Sequence, residues 1–155
     1  MATPTTRRKF LGLTTSAAAS TWAGASLFAA GASAAPGPND TINVGIIGCG
    51  QRSRQLLPCF MHAPGARVVA VCDVNSKRLA EVRELAGGDK VRAYHDYRQL
   101  LADKDVDAVL ITTNVHWHVL CTIGACQAGK EVYVEKPLCH FSGEGRFAVA
   151  AAKKL

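Results

Sequence analysis

The chain has 155 residues and a formal net charge of +6 at pH 7, and 48% of its residues are hydrophobic while 19% are charged. This balance excludes a disordered or fibrous protein, and the length favours a single folded domain. Aromatic residues make up 6% of the chain and no basic stripe is interleaved with them, so the positive charge does not indicate nucleic-acid binding. The cysteines form no metal-ligand spacing, and no metal site is predicted.

The first 35 residues have the order of an export signal. A basic segment at residues 7–9 precedes an uncharged stretch, and small residues at 32–34 precede a Pro-Gly-Pro breaker. The arginine pair Arg7-Arg8, followed by x-Phe-Leu, resembles a bacterial twin-arginine signal. We therefore expect the twin-arginine export machinery to deliver the protein to the periplasm, cleavage near Ala34 or Ala35, and no membrane attachment of the mature form. An uncleaved N-terminal anchor is the alternative.

Short apolar strands alternate with helices over the rest of the chain. In chain order they are a strand over 41–47, a helix over 51–62 that contains Pro58, a strand over 67–72, a helix over 76–86, a strand over 91–93, a helix over 96–102, a strand over 108–113, a helix over 116–128, a strand over 131–135 and a helix over 142–154 with Ser142 as candidate N-cap.

Continuous apolar strands that alternate with helices indicate a parallel sheet covered on both faces. The sequence therefore predicts a doubly wound α/β domain, of the Rossmann type that binds NAD(P), over residues 36–155. The usual dinucleotide fold has about six strands, so we expect this domain to be truncated after its fifth strand and the following helix.

A glycine-rich turn joins the first predicted strand to the first predicted helix. The run Gly48-Cys49-Gly50-Gln51-Arg52-Ser53 fits the pattern G-x-G-x-x-small. Gly48 permits a tight turn, Gly50 lets the backbone approach a pyrophosphate, and Ser53 is small enough for close helix–strand packing. The helix N-terminus then presents free N–H groups to the phosphates. The run is thus a candidate cofactor-binding loop, with an ordinary glycine turn as the alternative.

An acidic residue follows the second predicted strand. Asp73 lies about 20 residues after the glycine turn, which is the distance at which a carboxylate accepts hydrogen bonds from an adenosine ribose. A carboxylate there repels a 2′-phosphate, so NAD is the expected cofactor. The neighbouring Lys77 and Arg78 keep NADP open as the alternative.

Two later motifs are more specific. Residues 112–118 (TTNVHWH) follow the fourth predicted strand, and residues 131–138 (EVYVEKPL) contain the fifth strand and its exit. Together with the glycine turn and residues 126–130 (CQAGK), they resemble the glucose–fructose oxidoreductase/inositol dehydrogenase (Gfo/Idh/MocA) family over residues 41–155. The Glu-Lys-Pro tripeptide at 135–137 is the strongest of these signals.

The resemblance implies roles for individual residues. Gly48, Gly50 and Asp73 would hold the dinucleotide, and Lys136 would lie beside the nicotinamide and the substrate as a catalytic residue. His118 would match the family's motif histidine and is the second catalytic candidate. The further candidates for cofactor contact are Thr112, Thr113, Asn114 and Glu135. The family usually has proline at position 114 and Asn or Asp at position 115, where this chain has Val.

Simpler interpretations of the same side chains stay open. Lys136 is a solvated surface lysine in the alternative interpretation, and His118 is a packing residue. His116 is assigned to the surface or to a helix cap. Positions 116 and 118 diverge by about 200° on a regular helix, so the two histidines cannot bind one metal ion together.

Three functions remain as hypotheses. The first is hydride transfer between a sugar, cyclitol or related polyol and NAD(P). The second is an NAD-dependent glycoside hydrolase of the same family, which oxidises its sugar transiently and then reduces it again. The third is a non-catalytic nucleotide-binding protein.

The resemblance also implies a second, mostly β domain that completes the acid–base set and mediates oligomer formation. We therefore expect this chain to be the N-terminal part of a longer oxidoreductase, which by itself binds cofactor with negligible turnover.

Overall fold

The computed structural model describes residues 41–154, and the predicted signal peptide with its cleavage site lies outside this range. The elements in chain order are β1 (Ile42–Ile47), α1 (Gln51–His62), β2 (Ala66–Cys72), α2 (Ser76–Ala86), a 3-10 turn (Gly88–Lys90), β3 (Arg92–Tyr94), α3 (Tyr97–Ala102), β4 (Ala108–Ile111), α4 (Val115–Gln127), β5 (Glu131–Val134) and α5 (Ser142–Ala152). Between residues 41 and 154, no helix combines the length and apolar character that crossing a bilayer requires.

The five strands form one parallel sheet in the order β3-β2-β1-β4-β5. The predicted doubly wound α/β fold is therefore confirmed, and each predicted element is present with its ends within a few residues. The chain order reverses beside β1, which pairs with β2 on one side and β4 on the other. Ligands of such folds bind at the carboxyl ends of the strands where the order reverses.

Apolar side chains pack on both faces of the sheet. Ile46 belongs to a buried cluster with Leu57 of α1 and Leu79 of α2. The next residue, Ile47, points to the other face and joins a second cluster that includes Leu100 of α3. Burial on both faces explains why residues 44–47 of β1 are an uninterrupted apolar run rather than an alternating one.

Side-chain caps fix the starts of α2 and α3. The Asn75 side chain accepts hydrogen bonds from the backbone N–H groups of Lys77 and Arg78, both at 3.1 Å. The Asp96 carboxylate accepts one from the N–H of Arg98 at 2.9 Å, and this bond holds the pKa of Asp96 below its usual range. Both residues are of the type that satisfies the free N–H groups of a helix start.

The start of α5 differs from the prediction that Ser142 is its N-cap. Ser142 is the first helical residue and Phe141 occupies the cap position. The Glu144 carboxylate accepts hydrogen bonds from the backbone N–H groups of His140 at 3.1 Å and Phe141 at 3.2 Å. A carboxylate that reaches back from the first turn thus satisfies the backbone where a serine hydroxyl was expected.

The turn between α4 and β5 is tied to the rest of the sheet by Lys130. Gly129 adopts φ +68° and ends the helix. The Lys130 ammonium then donates to the carbonyl oxygens of Asp103 at 2.9 Å and Val106 at 2.7 Å, in the loop that leads into β4. These bonds fix the entry of β4 relative to that of β5, so they help to set where the two strands end.

Candidate functional site

A cleft of about 350 Å³ lies at the carboxyl ends of β1 to β4. Its lining includes six of the residues predicted to contact a cofactor, namely Gly48, Gly50, Asp73, Thr112, Thr113 and Asn114. The parallel sheet brings these residues together because all its strands end at the same edge. As site residues they stay predictions, since no ligand contact tests them.

Gly48 makes the tight turn between β1 and α1. It adopts φ +96°, and a Cβ atom there would lie 2.7 Å from the backbone nitrogen of Thr113. The Gly48 N–H donates to the carbonyl of Cys72 at 2.8 Å, and the Thr112 hydroxyl donates to the carbonyl of Gly48 at 2.7 Å. The turn is thus fixed to the exits of both neighbouring strands, and any side chain at this position would separate them.

Gly50 serves a different purpose. Its φ of −80° is accessible to any residue, and a Cβ atom there would meet nothing within 4 Å. The glycine therefore keeps open space beside the N-terminus of α1, where the backbone N–H groups have no side-chain cap. An uncapped helix N-terminus with open space before it fits the phosphates of a dinucleotide.

Ser53 and Cys49 pack beneath the turn. Ser53 is fully buried, and its hydroxyl donates to the carbonyl of Gly50 at 2.8 Å. Burial raises the pKa of the Cys49 thiol to about 12 and that of Cys72 to about 12, so both stay protonated at neutral pH. All six cysteines lie in the described part of the chain and are free thiols. Cys49 is fully buried and does not line the cleft, so its predicted contact with a cofactor stays a prediction.

The Asp73 carboxylate is fixed by two backbone donors. Its Oδ2 accepts the N–H of Cys49 at 2.7 Å, and its Oδ1 accepts the N–H of Asn75 at 2.8 Å. Each carboxylate oxygen has a second lone pair, so both can still accept a ribose hydroxyl. Arg78 lines the same cleft, whereas Lys77 is exposed outside its lining.

His118 is buried between the exits of β4 and β5. Its Nδ1 lies 2.8 Å from the carbonyl oxygen of Pro137, and its Nε2 lies 3.0 Å from that of Thr113. A neutral imidazole has one N–H group, so it donates to one of these carbonyl oxygens at a time. Because each ring nitrogen faces a backbone carbonyl oxygen, this geometry favours holding the two loops over proton transfer to a substrate.

The remaining predicted residues lie near the exit of β5 and the start of α1. Glu135 is buried, and its Oε1 lies 2.9 Å from Nη2 of Arg52. This hydrogen bond holds the pKa of Glu135 below its usual range. Lys136 and Gln51 are exposed, and neither lines the cleft. The structure thus separates the predicted residues that line the cleft from a second group around Lys136.

Sequence reasoning missed part of the cleft wall. Val74, His95, Tyr97 and Trp117 also line it, and the rings of Tyr97 and Trp117 meet edge to face with centroids 6.3 Å apart. The place of His95 and Tyr97 in the sequence could have identified them, because both follow β3 at the carboxyl ends of the strands, where Gly48 also lies. His116 is exposed, as predicted. Within residues 41–154, no three potential metal ligands lie together.

Substitution by alanine should affect stability at one of these glycines and NADH binding at the other. Gly48→Ala should lower the unfolding free energy by about 2 kcal/mol, because it combines an unfavourable φ with a backbone clash. Gly50→Ala should leave the unfolding free energy within about 0.5 kcal/mol and weaken NADH binding at least tenfold, because its methyl group fills the space for the phosphates. Urea unfolding and fluorescence titration measure the two effects. Equal stability losses in both variants would contradict the distinct tasks assigned here.

Relatives with several different names resemble this chain. A "Glycosyl hydrolase family 109 protein" of Saccharopolyspora erythraea is 37% identical over 106 residues, which is 64% of this chain and 23% of the relative. An "Inositol 2-dehydrogenase" of Salmonella paratyphi B is 33% identical over 115 residues, which is 74% of this chain and 34% of the relative. The chain thus spans between about a quarter and a third of the length of these curated relatives.

Solved structures agree with this resemblance. KijD10, a 3-ketoreductase from Actinomadura kijaniata in complex with NADP and TDP-benzene, superposes with a TM-score of 0.68 at 30% identity, covering 74% of this chain and 34% of that one. The WlbA dehydrogenase from Bordetella pertussis in complex with NADH and UDP-GlcNAcA superposes with a TM-score of 0.68 at 28% identity, covering 74% and 35%.

A family match covers the whole sheet and the cleft. The family described as "Oxidoreductase family, NAD-binding Rossmann fold" (GFO_IDH_MocA) matches residues 42–155, which confirms the resemblance drawn from the sequence motifs. With the glycine turn, the acid after β2 and the Glu-Lys-Pro exit of β5 in one sheet, the chain belongs to the Gfo/Idh/MocA oxidoreductase family and has its NAD(P)-binding Rossmann fold.

Proposed function

We propose that this chain forms the dinucleotide-binding part of an oxidoreductase that transfers hydride between a sugar- or cyclitol-type alcohol and the nicotinamide of NAD. The observation that supports it best is the cleft, in which an open helix N-terminus and a fixed carboxylate stand where phosphates and an adenosine ribose would bind. The names of the relatives support the substrate class, since they include an inositol dehydrogenase and a dehydrogenase in complex with a UDP-sugar.

Each group of residues has its own task in this proposal. The N–H groups at the start of α1 bind the phosphates, and Asp73 orients the ribose. The bound nicotinamide supplies the acceptor or donor of the hydride. Lys136 is exposed at the exit of β5 and binds the substrate hydroxyl through Nζ. Nζ takes up the hydroxyl proton when the alcohol is oxidised and returns it when the carbonyl is reduced. Glu135 and His118 hold the backbone on either side of that lysine.

The preference for NAD over NADP is assigned to Asp73. Its carboxylate occupies the turn after β2, where a 2′-phosphate would meet a negative charge. We expect the protein to bind NADH at least tenfold more tightly than NADPH, and Asp73→Asn to reduce that ratio by about tenfold. Fluorescence titration with both cofactors measures the ratio. Asp89→Asn removes an exposed carboxylate from the 3-10 turn after α2 and serves as the control. Equal affinity of the unmodified protein for both cofactors would overturn the assignment.

An NAD-dependent glycoside hydrolase is the second candidate, because a relative named as a glycosyl hydrolase family 109 protein is 37% identical to this chain over 106 residues. The two reactions differ in what happens to NADH. A dehydrogenase releases one NADH per product molecule, whereas the glycosidase returns the hydride and accumulates none.

Assays of the protein as expressed from its gene, with polyols and with aryl glycosides, therefore separate the two. Lys136→Met should lower either activity at least a hundredfold, about 2.7 kcal/mol in the transition state, and leave NADH affinity within about threefold. The matched control is Lys153→Met, which replaces an exposed lysine at the C-terminal cap of α5. Unchanged activity in Lys136→Met would remove the lysine from the mechanism, and NADH binding with no turnover of either substrate class would favour the non-catalytic protein.

We also propose that residues 1–35 direct twin-arginine export to the periplasm. The order of basic, uncharged and small residues supports this proposal. Replacing Arg7 and Arg8 together with lysine should keep the protein in the cytoplasm, because the charge is preserved but the arginine pair is lost. Lys9→Gln should still be exported with a mature N-terminus at Ala35 or Pro36. Fractionation and N-terminal sequencing test both variants, and export of the double-lysine variant would refute the proposal.

A further inference from the structure

An ion pair connects the phosphate-binding turn to the exit of β5. Arg52, in the first turn of α1, places Nη2 at 2.9 Å from Oε1 of Glu135. The Glu135 side chain is 8% exposed, whereas that of Arg52 is 48% exposed. Nη1 of Arg52 also lies 3.3 Å from the Oε1 of Gln55 on the same helix. The guanidinium is thus oriented towards a buried carboxylate on another element.

The second oxygen of that carboxylate contacts the backbone of Lys136. Oε2 of Glu135 accepts the N–H of Lys136 at 3.3 Å. A continuous series of contacts therefore leads from the start of α1, through Glu135, to the residue assigned to the chemistry. Lys136 and Arg52 are the charged groups that act on Glu135, and Tyr133 and Cys59 are the other titratable groups near Arg52.

Arg52 was expected to contact the cofactor, and its position in the glycine-rich run would allow this. Moving to the phosphates would leave Glu135 buried without its cation, which is unfavourable for a carboxylate of such low exposure. The phosphates do not require the guanidinium, because the N-terminus of α1 has no side-chain cap and no acidic residue in its first turn. Both observations favour Arg52 staying with Glu135 when the cofactor is bound.

We propose that Arg52 is a positioning residue, which acts through Glu135 to fix the backbone of Lys136 and to balance the charge beside its ammonium group, rather than a ligand of the cofactor. This inference rests on the proposed function only in giving Lys136 its chemical task. The first turn of α1 then has two functions: its backbone N–H groups bind the nucleotide, and its Arg52 side chain holds Glu135, which in turn bonds the backbone of Lys136.

The test compares Arg52→Gln with Arg54→Gln. Arg54 lies on the same helix and forms an exposed ion pair with Glu81 at 2.7 Å, so its loss is a matched control. Two properties are measured on the intact protein: NADH affinity by fluorescence titration, and the pH midpoint at which Lys136 reacts with an amine-directed reagent, by peptide mass spectrometry. Lys136 is exposed and accessible to the reagent.

In Arg52→Gln, the Glu135 carboxylate acts on the Lys136 ammonium without its partner, so the midpoint should rise by about half a pH unit or more. NADH affinity should stay within about threefold of the unmodified protein. Arg52→Lys should restore most of the midpoint, because it restores the charge, and Arg54→Gln should change neither property. Glu135→Gln should move the midpoint in the opposite direction, which keeps the proposal testable if Arg52→Gln fails to fold.

Two outcomes would overturn the proposal. A loss of NADH affinity of tenfold or more in Arg52→Gln, with the Lys136 midpoint unchanged, would make Arg52 a cofactor ligand. An unchanged midpoint with unchanged affinity would reduce the ion pair to a packing contact. Neither readout requires hydride transfer, so a failure of the proposed reaction and a failure of this inference are separately visible.

Discussion

The close approach of two strand exits at Gly48 is the constraint on which the rest of the site depends. The carbonyl of Gly48 accepts the Thr112 hydroxyl at 2.7 Å, and the backbone nitrogen of Thr113 lies where a Cβ atom would be. Because β1 and β4 meet this closely, the N-terminus of α1 and the turn after β4 open into the same cleft. A glycine at this position is therefore a requirement of packing, and the space for a ligand is its consequence.

Two carboxylates hold the loops beside these strand exits. Asp73 accepts hydrogen bonds from the backbone of the turn after β1 and from that of the loop after β2, and Glu135 bonds Arg52 and the backbone of Lys136. Hydrogen bonds from backbone N–H groups and cations favour the ionised form of a carboxylate, and they also restrict its position. Each carboxylate thus orients a loop. The oxygens of Asp73 keep free lone pairs that can accept a hydrogen bond from a ligand, and Glu135 holds the backbone of the neighbouring Lys136.

The sequence was sufficient to predict the fold, because parallel strands buried on both faces leave uninterrupted apolar runs such as residues 44–47 of β1. It also predicted residues at the exits of β1, β2 and β4 that the structure brings to one cleft, since glycines and acids follow the strands directly. It could not show that the Arg52 guanidinium bonds the Glu135 carboxylate, because residues 83 positions apart share no local sequence pattern. The aromatic wall formed by Tyr97 and Trp117 escaped it for the same reason, because it depends on how the starts of α3 and α4 pack against each other.

The division between cleft and lysine bears on how reactions vary within the family. Relatives named as a dehydrogenase, a ketoreductase and a glycosyl hydrolase each match about two thirds or more of this chain, so proteins named for different reactions resemble the same domain. What a shared cleft cannot decide is where a substrate hydroxyl lies relative to the nicotinamide. In the proposed reaction, the geometry around Lys136 would influence that placement directly. An ion pair that fixes this lysine from the glycine-rich turn would then let one nucleotide site present the same proposed proton-transfer group to many substrates, while the residues that select a substrate vary elsewhere.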